Sequence, residues 1–370
     1  MVLAGGAGSR MGALTERRAK PALPFAGHHR LIDFVLSNCT NSGIADVWVI
    51  EQFLPHSLED HLANGRPWDL DRTRGGLLTL HPFSGGEEGG FHQGNADALW
   101  RHRRLIEEFG ADVVVVLSAD AVYSLDYRLV VDRHLEVGAD VTMVTTRVSE
   151  DAGRFGVVEV DEEGGGRVVG FAYKPDSPSS DLVTTEVFAY RPGVLLSTLD
   201  ELAGDDGGLE DFGDQLLPRL VDGGKAWEYR LDAYWRDVGT PQSYWEAHQD
   251  VLAGRTPGFD LDDRSWPVRT TAGHRPPAWV AGSASVVDSL LSPACRVEGR
   301  VVGSVLSPGV VVEEGAVVER SVLLHGAVVR AGARVEQAIV DTGFEVAAGQ
   351  VVRSDDPDEP VAVASRGGPE

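Results

Sequence analysis

The chain is poor in three things, and each shortage removes a class of protein. Only two of its 370 residues are cysteines, Cys39 and Cys295, and they lie far apart, so a disulfide framework is excluded and both read as reduced thiols. No stretch approaches 18 uninterrupted apolar residues, and no charged-then-apolar leader precedes the first glycines; the expectation is a cytoplasmic protein with no membrane span. Positive charge is short as well: 33 Lys and Arg stand against 57 Asp and Glu, and a net charge of −24 opposes binding to nucleic acid or an anionic membrane. Within that positive charge lysine is the rarity. Only Lys20, Lys174 and Lys225 occur, with Arg used almost everywhere else. A lysine kept in such a chain is wanted as a compact ammonium, for which a planar guanidinium is no substitute.

The densest basic cluster sits in the first 27 residues. A short apolar strand over residues 2–4 runs into Gly5, Gly6 and Gly8, followed by Arg10, Arg17, Arg18 and Lys20. Glycines let backbone N–H groups turn toward an anion, and Arg10 and Lys20 supply charge to hold it, which makes a phosphate-binding arrangement. A Gly-rich connector between strand and helix is the plainer alternative, and the retained Lys20 weighs against it. A Walker loop needs Gly-Lys-Ser/Thr at its end, and a dinucleotide fold needs a third glycine where Met11 stands, so both of those readings fall. Because the strand begins at residue 1, it is expected to be one strand cut short, at a cost to sheet pairing and not to the motif.

Further on, residues 31–42 read as a helix with Ile32, Val35, Leu36 and Cys39 on one side, and residues 47–50 as a buried strand. Residues 66–90 look irregular, and a loop of that length is usually functional or disordered. Asn95 is placed to cap a helix reaching about residue 109, with Leu99, Leu105 and Ile106 inward. The apolar run 113–117 fits a strand of a parallel sheet covered on both faces, and it delivers Asp120 at its carboxyl end, where open α/β sheets bind ligands. An acid there is a natural metal ligand, or else a cap for the next helix. Residues 141–148, 155–160 and 167–171 continue the sheet, and Asp237 falls in a turn at another strand end.

Pro257, Pro267, Pro276 and Pro277 mark a linker, and then a repeat begins. Positions 305, 311, 317, 323, 329 and 335 are Val or Leu at a spacing of six, and the phase shifts by one to Val340, Val346 and Val352, with glycines such as Gly309 and Gly332 between. A six-residue period predicts a left-handed parallel β-helix and excludes a heptad coiled coil. The expected division is residues 1–248, a linker 249–280, a β-helix 281–353, and a tail 354–370 without fixed structure.

The motifs taken together resemble those of one family. Gly5-Gly6-x-Gly8-Ser9-Arg10, Leu14-Thr15, Arg18-Ala19-Lys20-Pro21-Ala22, residues 31–38, residues 94–98, Asp211-Phe212-Gly213, residues 234–240 and Trp266-Pro267-Val268-Arg269 are similar to the signature of sugar-1-phosphate nucleotidyltransferases, in its glucose-1-phosphate adenylyltransferase branch. The resemblance covers nearly the whole chain, in the same order. It implies an α/β, Rossmann-like nucleotidyltransferase domain with a mostly parallel sheet, ATP (or another NTP) and a sugar 1-phosphate as substrates, Mg²⁺, and a homotetramer or a hetero-oligomer with a related subunit. It further implies that Leu3, Gly5, Gly6, Gly8, Ser9, Arg10, Lys20, Gly94 and Asn95 bind nucleotide, and that Arg10, Lys20 and Asp120 are catalytic. Lys174, Glu186, Asp211 and Trp235 would bind the sugar phosphate, Asp120 and Asp237 the metal, and Arg17 and Arg18 an effector or the triphosphate.

Departures from the family pattern are as informative. Where the branch has a base-reading Pro-Ala-Gln-Gln-Arg run, equal spacing from Gly94 puts His81-Pro82-Phe83-Ser84-Gly85, which leaves the base open. Tyr173 replaces a usual Glu before Lys174-Pro175, Ala121 a usual His after Asp120, and Glu186 a usual Gly. Two classes of reading stand: an active enzyme, making ADP-glucose for glycogen or a related α-glucan or else another sugar nucleotide, or a catalytically weak homologue acting as a regulatory subunit.

Overall fold

The computed structural model describes residues 1–82, 90–204, 209–271, 273–356 and 361–365. Two layered units are built in chain order. Nine strands form the first sheet: β1 Val2–Leu3, β2 Asp46–Ile50, β3 Gly76–Leu80, β4 Val114–Ser118, β5 Val141–Arg147, β6 Gly156–Asp161, β7 Arg167–Tyr173, β8 Leu182–Tyr190 and β9 Ala226–Arg230. Their spatial order is β3-β2-β1-β4-β8-β5-β9-β7-β6. The end containing β1 is parallel throughout, from β3 to β4, and β8 then runs antiparallel to both β4 and β5. The apolar runs are what this demands: Val49, Val116, Leu117, Val144 and Phe188 are fully buried between helices on both faces.

The expected helix appears as α1, Leu31–Asn41, with Ile32, Val35, Leu36 and Cys39 buried, and both cysteines are free and buried. Several expectations need correction. The irregular stretch after Arg66 contains β3, an edge strand in register with β2, and Trp68 before it is fully buried. Its pattern hid the strand, since β3 has one half-exposed face and no neighbour beyond it. The helix from Asn95 is broken into Asn95–Arg101 and Arg103–Phe109, its N-cap is Gly94 with no side-chain cap, and Leu105 is exposed. Asp237 ends a short strand, Trp235–Asp237, rather than sitting in a turn.

The second unit is a coil of three five-stranded parallel sheets, one strand per sheet per turn. The fully buried inward positions are Leu306, Val312, Val318, Leu323, Val329, Val335, Val340 and Val346. The period is therefore six, six, five, and Val305, Val311 and Val317 lie one residue out of the inward phase expected for them. At the short corner the buried hydroxyl of Ser304 accepts from Ser321 N at 3.0 Å, and that of Ser321 from Ala338 N at 3.2 Å, so side chains bridge the coils where the backbone turns early. At other corners glycine takes a left-handed conformation, φ 77° at Gly309 and 71° at Gly332. Residues 362–364, expected to lack structure, add the last strand to one sheet by pairing with Ala338–Val340, Val361 and Ala364 giving it apolar anchors.

The proline-rich stretch between the units is also tied down. Trp266 Nε1 donates to Asn38 Oδ1 at 2.8 Å, Arg269 N to Ser37 Oγ at 2.8 Å, and Trp68 Nε1 to Arg269 O at 3.2 Å. Two of the shared motifs, 31–38 and 266–269, are thus halves of one structural joint on α1. Helix α2, Pro241–Leu252, seals the rest: Trp245 Nε1 donates to Arg320 O at 2.6 Å, and Met11, Leu14, Phe25 and Tyr244 share an apolar cluster with Val322, Leu324 and Ile339. No helix is long and apolar enough to cross a membrane among the described residues.

Candidate active site

Two long-range pairings assemble the site. β4 ends at Ser118, and the strand Ala121–Tyr123 just after it pairs antiparallel with Trp235–Asp237, Ala121 opposite Asp237. That register brings Asp120 and Asp237 to the same corner, and Val238 N donates to Asp120 O at 3.1 Å to close it. Lys20 enters from the basic loop. Its Nζ lies 2.8 Å from Asp120 Oδ2 and 3.7 Å from Asp237 Oδ1, and the side chain is almost wholly buried. Ser118 Oγ donates to the other oxygen, Asp120 Oδ1, at 2.6 Å.

The charges at this corner are mutually adjusted. Burial works against the Lys20 ammonium, but Asp120 and Asp237 outweigh it and hold its pKa above the ordinary value. Burial likewise pushes Asp120 up, and Lys20, Ser118 and Arg10 bring it below the usual carboxylate range. For Asp237 burial and the charge of Asp120 win over Lys20, and its pKa is raised. The corner therefore carries more negative charge than Lys20 alone offsets. Gly239 follows directly, and a Cβ there would come within 2.6 Å of Asp237 Oδ2 and 3.2 Å of an Arg10 guanidinium nitrogen, which accounts for glycine in this motif.

At the glycine loop lies a cavity lined by Leu3, Gly5, Gly6, Gly94 and Asn95, five of the nine residues expected at the nucleotide. Gly8 sits behind it at φ 64°, its carbonyl accepting from Thr15 Oγ1 at 2.9 Å, and Ser9 is exposed at the start of the next turn. Gly94 packs against the backbone so closely that a Cβ would stand 2.0 Å from Glu210 O. Residues not foreseen complete the wall: Gln52 and His92 exchange hydrogen bonds, His92 N to Oε1 at 2.6 Å and Nε2 to His92 O at 3.1 Å, and Phe53 stacks on Phe91 at 6.0 Å with both rings partly exposed. The only sequence signal for Gln52 was its place just past a buried strand. Of the segment matched to the base-reading run, residues 83–85 lie outside the described residues.

At the carboxylate corner Arg10, Asp120, Lys174, Glu186, Trp235 and Asp237 line a second cavity, joined by the unforeseen Arg154, Phe155 and Thr185. Trp235 meets Phe155 edge to face at 5.4 Å. Asp211 lies just behind, accepting from Tyr173 OH at 2.8 Å, while Lys174 Nζ donates to the same hydroxyl at 2.6 Å. Gly213 of that motif is required because any Cβ would strike the Tyr173 ring at 2.2 Å. Glu186 sits at an irregularity in β8 with φ 59°, so the position that the family fills with glycine is left-handed here as well. That kink turns its carboxylate into the cavity, where burial and the charges of Asp120, Asp237 and Asp211 push its pKa up to about 8.

Arg17 and Arg18 line neither cavity. Arg17 is exposed, and Arg18 pairs with Asp341 of the β-helix at 2.8 Å. Two roomier grooves run along the junction of the units, one by Phe259 and Trp266 and one by Arg236 and Arg320, the latter reaching Trp235 and Asp237 at the edge of the second cavity.

A Gly-rich loop with its own cavity, and a lysine between two strand-end carboxylates that line a second, define a nucleotidyl transferase, and residues 1–254 match the Nucleotidyl transferase family profile, with residues 278–363 matching the GlmU-like C-terminal hexapeptide profile. The chain is 43% identical over 322 residues to a glucose-1-phosphate adenylyltransferase of Thermotoga neapolitana, covering 86% of this chain and 75% of that one. It is 44% identical over 299 residues to that of Thermomicrobium roseum (80% and 69%) and 39% over 320 residues to that of Bacillus thuringiensis (86% and 84%). It belongs to the glucose-1-phosphate adenylyltransferase family.

Proposed function

We propose that the chain joins ATP and glucose 1-phosphate to give ADP-glucose and pyrophosphate, in the cytoplasm, for glycogen or a related α-glucan. The observation that carries this is Lys20 between Asp120 and Asp237, those carboxylates lining the Lys174–Glu186 cavity, with a separate cavity at the glycine loop. In that reading a phosphate oxygen of the sugar 1-phosphate attacks the α-phosphorus in line and pyrophosphate leaves, with no covalent intermediate. The protein's task is positioning and charge neutralisation. The glycine-loop N–H groups and Arg10 hold the triphosphate, and Lys20 faces the bond that breaks. Lys174 takes the sugar phosphate, and Glu186 and Asp211 accept from sugar hydroxyls.

The donor set fits Mg²⁺: Asp120 and Asp237, at one corner of the cavity, offer hard oxygens only. When bound, the ion neutralises the phosphates and charge developing at the leaving group. Arg10 and Lys20 would neutralise and orient the same phosphates.

One observation favours a second reading, a weakly active regulatory homologue: Tyr173 already occupies Asp211 and Lys174, and Lys174 Nζ lies 4.2 Å from the centre of its ring. Pyrophosphate release, measured with four nucleoside triphosphates against several sugar 1-phosphates, separates the two. The active reading expects ATP with glucose 1-phosphate to be turned over best; no turnover with any pair leaves the regulatory one. In either case the β-helix is an assembly unit rather than an acyltransferase, since His325 is its only histidine. Light scattering is expected to give four times the 39.7 kDa chain.

A further inference from the structure

Glu51 follows β2 immediately, and its N–H donates to Leu80 O at 2.9 Å, so β2 and β3 are paired up to this residue. Its side chain points inward. The residue is 1% exposed, and both carboxylate oxygens lack a hydrogen-bond partner among the described residues. An acid buried without a partner is costly, and it is retained where something else satisfies it. Two further candidate ligands face it. Glu59, on the helix Pro55–Leu62, places Oε1 3.1 Å from Nε2 of His81, the residue after β3. One atom from each of Glu51, Glu59 and His81 lies within 4.8 Å of the other two.

We infer that Glu51, Glu59 and His81 form a divalent-metal site, separate from the Asp120–Asp237 corner, that takes zinc. One imidazole with two carboxylates is a borderline donor set, whereas Mg²⁺ and Ca²⁺ prefer oxygen alone. Zinc accepts such nitrogen and oxygen ligands at about 2.0–2.2 Å in a tetrahedron, with water in the fourth position. Glu59 and His81 are 45% and 41% exposed at their side chains, so an ion has a way in and both can close the remaining gap by changing rotamer. The ion joins the ends of β2 and β3 to the helix between them. It does so directly behind Gln52 and Phe53, which line the glycine-loop cavity. The inference does not depend on which nucleotide or sugar the chain uses.

The test uses the full chain, stripped with chelator and dialysed against Zn²⁺ in excess Mg²⁺, which competes at the Asp120–Asp237 corner. Bound zinc is counted by mass spectrometry, and melting temperature is recorded with and without the ion. One zinc per chain and a raised melting temperature are expected, because a ligand held only by the native state stabilises it. Glu51→Gln and His81→Ala should each weaken binding about tenfold or more and abolish the rise. No retained zinc overturns the site, as does zinc retained equally by both variants. Should Glu51→Gln fail to fold, His81→Ala, at a half-exposed position, decides alone.

Discussion

Lys20 Nζ and Asp120 Oδ2, 100 residues apart in the chain, meet at 2.8 Å in a corner where the lysine is almost entirely buried. Only a compact ammonium fits between Asp120 and Asp237, which gives the scarcity of lysine elsewhere its structural meaning. A planar guanidinium needs more room and a different set of acceptors.

Removing charge from this corner is expected to cost turnover and not the fold. Asp120→Asn and Asp237→Asn should each lower kcat on the order of 10²-fold or more at saturating Mg²⁺, since transition-state stabilisation is what is lost. Circular dichroism should be unchanged. Wild-type rates in either variant would refute the role assigned to that carboxylate.

Glu186 is held at φ 59°, a conformation that costs an ordinary residue roughly 1–2 kcal/mol and glycine almost nothing. Glu186→Gly should therefore raise the melting temperature while raising KM for the sugar phosphate much more than KM for the nucleotide, because the sugar loses an acceptor. Stability and substrate binding move in opposite directions only if the strain is maintained for binding. A parallel change in both Michaelis constants would count against a sugar-side role.

His248 has a neutral ring by construction: Nε2 accepts from Ala26 N at 3.1 Å, and Nδ1 donates to Tyr244 O at 2.8 Å. Burial pushes its pKa down from 6.5 to about 4, so the unfolded chain binds the proton more readily than the folded one. The stability this residue contributes is full above pH 6.5 and declines as pH falls toward 4, by roughly 3 kcal/mol at most. Urea midpoints should fall across that window, and less steeply in His248→Gln, whose amide can replace the acceptor without titrating. An identical slope in the variant would assign the decline to other groups.

Arg18 and Asp341 join the two units through side chains 14% and 12% exposed, and a second guanidinium nitrogen of Arg18 is buried without a partner among the described residues. Asp341→Ala leaves that charge uncompensated at the interface and should destabilise by about 2 kcal/mol, below the 3–5 typical of a fully buried pair. Arg18→Met with Asp341→Ala should recover part of it. Equal melting temperatures for the single variant and wild type would show that the pair is mere surface contact.

Local features were readable from the residues alone. The apolar runs of β4 and β5, the periodicity of α1, the glycine loop and the repeat after residue 300 come from short-range rules, because each depends on neighbours within a turn or a strand. The chain's few lysines already singled out Lys20. What the sequence left open depends on contacts between distant segments. β3 was missed since an edge strand with one half-exposed face has no full apolar run, and the six-six-five phase of the coil depends on where each turn meets the next. Asp120 and Asp237 become one site only through the register of Ala121 opposite Asp237. The inward turn of Glu186 comes from a kink that alternation along a strand does not predict. Glu51 shows the limit most clearly: in the sequence it is an ordinary acid after a strand, and only the packing of β2, β3 and the intervening helix buries it beside Glu59 and His81. Burial and long-range register are properties of the assembled chain, and they decide which of its many carboxylates face a site and which face water.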